Sequence, residues 1–356
     1  HHPHLSLSLM NSSPQTIVAV NNIGRALQAK ASQLSDFIYS PKVHSKIQMQ
    51  FHQSRFLAIQ AQYPKAQFLP NKNWYDINNI IAFSWDSHDE ALEFKSSMAP
   101  AAQNRLLSRG PAKVPNSFTG FLRKIEKNLP NTYSEAILPS DPDVLKRLRH
   151  YFYEGALPSS YFLTRNTMTE EDGSSRFSAF TSCGALDVRH LYNEIKDYEK
   201  RESANKSTYW LIYELLWREF FYWHYQGWGR SYFSKNGIHG SLSFTLYEDF
   251  EIEKLRDKST NTFWQASLSE LTTTGFQTNR TRQLFASFWI HELHLDWRSG
   301  ALFFEKQLID YDVYSNWGNW MYIAGVGSSS RGARRFDINN QLERYDPENE
   351  YTKKWL

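Results

Sequence analysis

TYWLIYELLWREFFYW, residues 208–223, carries neither glycine nor proline and is apolar on almost every face of a helical projection. A surface helix shows one polar face, so a segment of this kind is expected to be packed on most sides within a helical body. Glu214 and Arg218 lie four residues apart in it and share a face, so an i,i+4 ion pair is the simplest expectation. On an exposed helix such a pair contributes only about 0.2–0.5 kcal/mol. Among so many aromatic side chains the two charges are expected to be buried, and a cavity with a polar ligand would account for their desolvation.

Helical periodicity continues on both sides. Thr262–Thr274, Arg280–His291 and Ala301–Ile309 read as helices downstream, and Phe118–Asn128, Asp143–Tyr153 and His190–Ser203 upstream. The second upstream helix follows a Pro-Ser-Asp-Pro start signal, which caps and opens it. The Gly-, Pro- and Ser-rich stretch SRGPAKVPNS, 108–117, marks a boundary between a unit at 1–110 and a helical domain at 111–356. Residues 1–110 hold two β-type runs, TIVAV at 16–20 and IIAFSW at 80–85, with helical patterns such as 44–62 between them. They read as a reduced α/β layer. No Gly-rich phosphate loop follows either run, so nucleotide binding is not expected there. The fold class is mainly α.

Charged residues are 22% and hydrophobic residues 41%, the balance of an ordinary globular protein. With 12 Trp, 20 Tyr and 24 Phe, the chain has either a large aromatic core or a means of handling a flat ligand, stacked bases or electrons. A net charge of +3 without a long Lys/Arg run permits contact with a polyanion and does not demand it. The one cysteine, Cys183, excludes an intrachain disulfide and a thiolate metal cluster, and no metal site is expected. No apolar stretch approaches the roughly 20 residues that cross a bilayer. The opening HHPHLSLSLMNSS is Ser-rich and free of acids, a composition found in organelle transit segments, so a chloroplast or mitochondrial address is expected.

Three further segments carry chemistry. DGSSRFS, 172–178, places hydroxyls of Ser174, Ser175 and Ser178 around Arg176 on a turn that Gly173 permits. Hydroxyls and amides on such a turn can hold a diphosphate, or simply form a polar loop. TGFQTNRTRQ, 274–283, projects Asn279 and Arg282 from the start of a helix after a glycine turn; capping and surface charge are the plainer reading. LIDYDVYSNWGNWMYIAGVG, 308–327, sets Asp310, Asp312 and Asn316 among apolar residues and glycines. Buried carboxylates need partners, supplied either by a structural polar network or by the polar edge of a heterocycle.

In order and spacing these segments resemble the FAD-binding domain of the photolyase/cryptochrome family, from Asp172 to the YDPENEYTKKW ending at Trp355. STYWLIYELLWREFF, TGFQTNRTRQ and DYDVYSNWGNWMYIAGVG look most like the DASH branch, as do FTGFLRKIE at 118–126 and LKRLRHYFYEG at 145–155. The resemblance implies that Ser174, Ser175, Arg176, Phe177 and Ser178 hold the FAD phosphates. It implies that Asn279 and Arg282 are flavin-side contacts, Arg282 beside the isoalloxazine and near Asp310. Asp310 and Asp312 match the acidic pair on the ring and adenine side, and Asn316 the residue facing flavin N5. Glu214 and Trp217 match the mouth of the substrate cavity, and Gln283 is the DASH-like choice at its position. Trp320 and Trp297 match the inner and middle members of the family's electron relay. The outer member falls near Phe244, for which Tyr247 could substitute.

Departures from the pattern accompany these matches. The family's N-terminal signature is absent and the region is short for an antenna domain, so a bound folate is not expected. The phrase TG-x-P-x-x-DA-x-MREL has become STNTFWQASLSEL at 259–271, which is expected to strip polar groups from one wall of the binding region. The outer relay tryptophan is missing. Three functions remain open. The chain is a light-driven lyase for pyrimidine dimers in single-stranded DNA, with Arg230, Lys235, Arg280, Arg331, Arg334 and Arg335 as candidate phosphate contacts; or a blue-light photoreceptor; or a structural subunit docked onto a larger assembly.

Overall fold

The computed structural model describes residues 104–240, 248, 250–329 and 332–356. The β-type runs at 16–20 and 80–85, the helical pattern at 44–62, Phe244 and Tyr247, Arg331 and the side chain of Arg230 lie outside them. Among the described residues no strand is present. The longer helices are α1 (Phe118–Ile125), α2 (Pro142–Arg149), α3 (Ser178–Cys183), α4 (Val188–Glu202), α5 (Lys206–Trp228) and α6 (Thr262–Thr274). They continue with α7 (Asn279–His291), α8 (Trp297–Gln307), α9 (Val313–Ala324), α10 (Ile338–Tyr345) and α11 (Glu350–Trp355).

Helix α5 is the axis of the body. Asn205 starts it through a capping box, accepting from Ser207 and Thr208 N–H while the Thr208 hydroxyl receives the Asn205 N–H. It packs on α9, α4 and α1, while α7, α8 and α9 pack on one another and α11 covers α6. Trp264, Trp289, Trp317 and Trp320 are among the largest fully buried side chains, so much of the aromatic content is core. At Gly318 of α9 a Cβ would stand 2.2 Å from the Phe221 ring of α5, so the two helices cross closer than any side chain allows. Helix α2 begins as its start signal implies, with Asp141 accepting from Asp143 and Val144 N–H and Pro142 in the first turn. It then widens into a π-type turn at His150–Glu154 instead of running on as an α-helix to Tyr153.

Upstream of α1, the chain from Asn104 is already fastened to the helical body. Asn104 Nδ2 donates to Thr181 and Leu186 carbonyls, and Leu106 is fully buried. Contacts therefore run across the stretch in which a boundary is expected at 110.

Candidate functional site

A cavity of about 300 Å3 opens between α3, α5 and the α7–α9 group. Its lining brings together Ser174, Ser175, Arg176, Phe177, Ser178, Glu214, Trp217, Asn279, Arg282, Asp310, Asp312, Asn316 and Trp320, from four separate segments of the chain. Gln283 lines it too. Trp297 does not: its Nε1 donates to the Lys235 carbonyl at 3.1 Å and its ring meets Trp317 edge-on at 5.7 Å, a layer behind the wall.

On one side Arg282 Nη2 donates to both Asp310 oxygens at 3.0 and 2.8 Å, and its Nε donates to the Gln277 carbonyl at 2.8 Å. Phe276 lies between two cations, with the Arg176 and Arg282 guanidiniums each 5.2 Å from its ring centre. Burial lowers the Arg176 pKa. Asn316, in the first turn of α9, donates from Nδ2 to the Ala301 carbonyl at 2.9 Å, which fixes the amide and leaves Oδ1 as its acceptor. Asp312 caps α9 by accepting from Tyr314 and Ser315 N–H, and it pairs with Arg218 at 3.4 Å and Arg105 at 3.5 Å.

The ion pair expected between Glu214 and Arg218 is not formed. Glu214 accepts from Arg165 Nη1 at 3.3 Å and from Trp210 Nε1 at 3.1 Å, and burial pushes its pKa up. Arg218 turns instead to Asp312, Glu219 and the Asn104 carbonyl. Burial, with Arg105 nearby, brings its pKa down to about 10. Tertiary partners take the place of the local pair. Trp217 lies flat against Phe118, with centroids 3.8 Å apart and planes 9° from parallel.

Residues 259–271, where polar groups were expected to be lost from one wall of the binding region, fall mostly on α6 and contribute nothing to the cavity lining. The polar groups lost there leave the cavity wall untouched. Arg256 bridges the altered positions, donating to Gln265 and Ser269 at 3.3 Å. Of the candidate phosphate contacts, Arg280 is held by Gln341, Asn166 and Tyr345, Arg334 by Tyr322 and Arg335 by Glu292, while Lys235 is exposed.

Arg218, read in the sequence as the partner of Glu214, lines the cavity, and sequence reasoning passed over Arg165, Phe276 and Gln277, which line it too. Phe276 and Gln277 stand inside a segment already singled out, next to the residues chosen. Arg165 sits in a stretch without a spacing signal. Three of these side chains hold buried polar atoms without a protein partner, namely Arg165 Nε, Arg218 Nη2 and Gln277 Oε1. Buried unsatisfied donors and acceptors are rare, and these three belong to residues that line the cavity.

The family model described as the FAD binding domain of DNA photolyase matches residues 210–356. Cryptochrome DASH of Idiomarina loihiensis is 35% identical over 304 residues, 83% of this chain and 67% of that protein. Cryptochrome DASH of Synechocystis is 44% identical over 214 residues, 60% of this chain and 44% of that protein. The chain spans about half the length of other cryptochrome DASH relatives, 47% in Vibrio parahaemolyticus and 51% in Gloeobacter violaceus. Among solved structures, the Synechocystis cryptochrome superposes with a TM-score of 0.62 at 35% identity, covering 71% of this chain and 61% of that one. A class III photolyase from Agrobacterium tumefaciens, at 23% identity and a TM-score of 0.56 over 71% of this chain and 60% of that one, shares the fold. No helix among the described residues is long and apolar enough to cross a membrane. A helical body with this cavity, matched along most of its length by cryptochrome DASH proteins, identifies the chain as a member of the cryptochrome DASH family.

Proposed function

We propose that the chain holds FAD in this cavity and uses it for light-driven electron transfer, with the splitting of cyclobutane pyrimidine dimers in single-stranded DNA as the reaction. The observation that carries the reading is the convergence on one cavity of a hydroxyl- and amide-bearing loop, the Arg282–Asp310 pair and the Asn316 amide. FAD, when bound, supplies the photoexcited electron donor, and its redox chemistry is its own. The chain's part is to bind, orient and exclude water. Ser174–Ser178 would receive the diphosphate. Arg282, fixed by Asp310 and the Gln277 carbonyl, would present a fixed cation beside the ring, and Asn316 Oδ1 an acceptor. Glu214 and Trp217 would form the mouth through which the extruded pyrimidine dimer enters. The reading includes no folate antenna. An organellar address is part of it, supported by the Arabidopsis relative named chloroplastic/mitochondrial, 41% identical over 211 residues.

A second reading is without DNA turnover: a blue-light photoreceptor that keeps the flavin, or a structural subunit of a larger assembly. It is favoured by the flat Phe118 ring against Trp217 and by the capture of Glu214 by Arg165 and Trp210, since both mouth residues already have protein partners. Purified full-length protein with a flavin band near about 450 nm supports cofactor binding, and its absence rejects the lyase and the photoreceptor in favour of the structural subunit. Pre-reduced, illuminated protein mixed with single-stranded DNA carrying a thymine dimer then decides between them. Restored thymines support the lyase. No restored thymines, with light-driven bleaching of the band in a separate sample of oxidised protein, rejects it in favour of the second reading.

A further inference from the structure

We propose that Arg147 and Asp172 are positioning residues: from behind the loop they turn the Ser174–Arg176 amides toward the cavity and so set its affinity for a diphosphate. The inference rests on the FAD reading above and concerns residues that do not line the cavity.

Three consecutive carbonyls of the loop are taken from outside. The Gly173 oxygen receives the Thr164 hydroxyl at 3.1 Å, the Ser174 oxygen receives Arg147 Nη2 at 3.1 Å, and the Ser175 oxygen receives Arg147 Nε at 3.1 Å. The described peptides are trans, and a trans peptide holds its carbonyl and the next N–H on opposite sides. Fixing these carbonyls therefore aims the N–H groups of Ser174, Ser175 and Arg176 the other way, and those residues line the cavity. No acceptor among the described residues takes the Ser174 or Ser175 N–H. Arg176 has φ +57°, followed by Phe177 at φ −74° and ψ −13°. A left-handed residue followed by a right-handed one draws successive amides into an anion-binding concavity. The left-handed conformation costs a non-glycine residue about 1 kcal/mol or more, so something must hold it, and Arg176 Nε does so in part by donating to the Glu171 carbonyl at 2.9 Å.

The clamp is itself fixed. Arg147 Nη1 donates to Asp172 at 2.8 Å, so all three guanidinium nitrogens are engaged and the plane cannot rotate. The second Asp172 oxygen lies 2.8 Å from His150 Nε2. Burial works to raise the Asp172 pKa, yet Arg147 and His150 outweigh it and hold the carboxyl below its ordinary range. At Gly173 a Cβ would come within 2.0 Å of the Thr167 hydroxyl, so the loop lies against this support with no room for a side chain.

Calorimetric titration of the full-length apoprotein with FAD, riboflavin and inorganic pyrophosphate tests the proposal, because riboflavin has the ring and lacks the phosphates. Arg147→Ala is expected to weaken FAD and pyrophosphate by about 10- to 100-fold, the loss of two charge-assisted bonds to carbonyls, and riboflavin by less than about twofold. Arg147→Lys offers one point donor in place of a fork and is expected to stay close to the alanine variant. Asp172→Asn keeps the side-chain shape and should shift the same ligands in the same direction, by less, at unchanged thermal midpoint; it decides the matter if Arg147→Ala does not fold. Equal losses for riboflavin and pyrophosphate, or unchanged affinity for FAD and pyrophosphate, would overturn the proposal. Wild-type protein that takes neither flavin rejects the FAD reading, and the pyrophosphate titrations of wild type and variants then still decide whether the clamp governs the loop.

Discussion

At Asp310 a single guanidinium nitrogen serves both oxygens of a carboxylate whose side chain is 2% exposed, while the arginine that supplies it is 24% exposed at the cavity. The two partners are therefore unequal. Removing the arginine strands a buried charge, whereas removing the acid leaves a cation that still reaches solvent. Arg282→Ala is expected to cost about 3–5 kcal/mol in denaturant unfolding, and Asp310→Asn clearly less. Arg282→Ala with Asp310→Asn should recover much of the loss, because the stranded group is then neutral. A double variant no more stable than Arg282→Ala would show that the packing of the arginine stem, not its charge, matters here. Arg282→Lys keeps the charge but cannot also donate to the Gln277 carbonyl, so the flavin band should fall even where stability is preserved.

Between elements, the contact of α11 with α6 turns on Glu270, a buried acid that accepts the Tyr351 hydroxyl at 2.5 Å. Burial pushes the Glu270 pKa from its ordinary 4.5 up to about 7, against the lowering effect of the Tyr351 hydrogen bond and of Arg282. A pKa raised on folding means that the native state holds the proton more tightly. Its stabilisation is complete below pH about 4.5, declines as pH rises, and is gone above about 7, a span of about 3 kcal/mol. Glu270→Gln is neutral throughout and can still accept from Tyr351. The stability of wild type relative to this variant should therefore fall between pH 5 and 8, read from denaturant midpoints by circular dichroism; parallel profiles would contradict the assignment. At the α5–α9 crossing, Gly318→Ala forces a methyl into the Phe221 ring and should cost about 1–3 kcal/mol, with partial rescue by Phe221→Leu. Elements of this kind differ in how far sequence reveals them. Helix α6 runs over Thr262–Thr274 as its pattern implies, because Asn261 and Gly275 stop it with local chemistry. Helix α8 starts at Trp297 rather than Ala301 because Asp296 caps it while also pairing with Arg298, a double use that periodicity does not record. The cavity was legible through segment order, yet Glu214's partner Arg165 lies 49 residues away and Arg147 acts on backbone carbonyls, which leave no trace in residue types.

Across the whole described body, one buried network ties the chain upstream of α1 to the cavity. Glu219, fully buried, accepts from Leu106 N–H at 2.8 Å, Leu107 N–H at 3.2 Å and Trp223 Nε1 at 3.3 Å. Arg105 lies 3.8 Å from Glu219 and 3.5 Å from Asp312, and Arg218 lies 3.8 and 3.4 Å from the same two acids. Two cations thus share two carboxylates, one of which caps α9 and lines the cavity. A network closed in this way is strained by any single deletion, since each loss leaves an opposite charge in a dry interior. Glu219→Ala should cost more than about 3 kcal/mol, because it also strands two backbone N–H groups. Arg105→Ala should cost a comparable amount, and the two together less than their sum, with a coupling of about 1–3 kcal/mol. Loss of the network should free Asn104–Leu107 before the helices melt, so trypsin should cut at Arg105 or Arg109 in Glu219→Ala under conditions in which wild type resists. Additive costs with unchanged trypsin resistance would mean that the segment is held by the burial of Leu106 alone, and that the charges serve only to position Asp312 for the cavity.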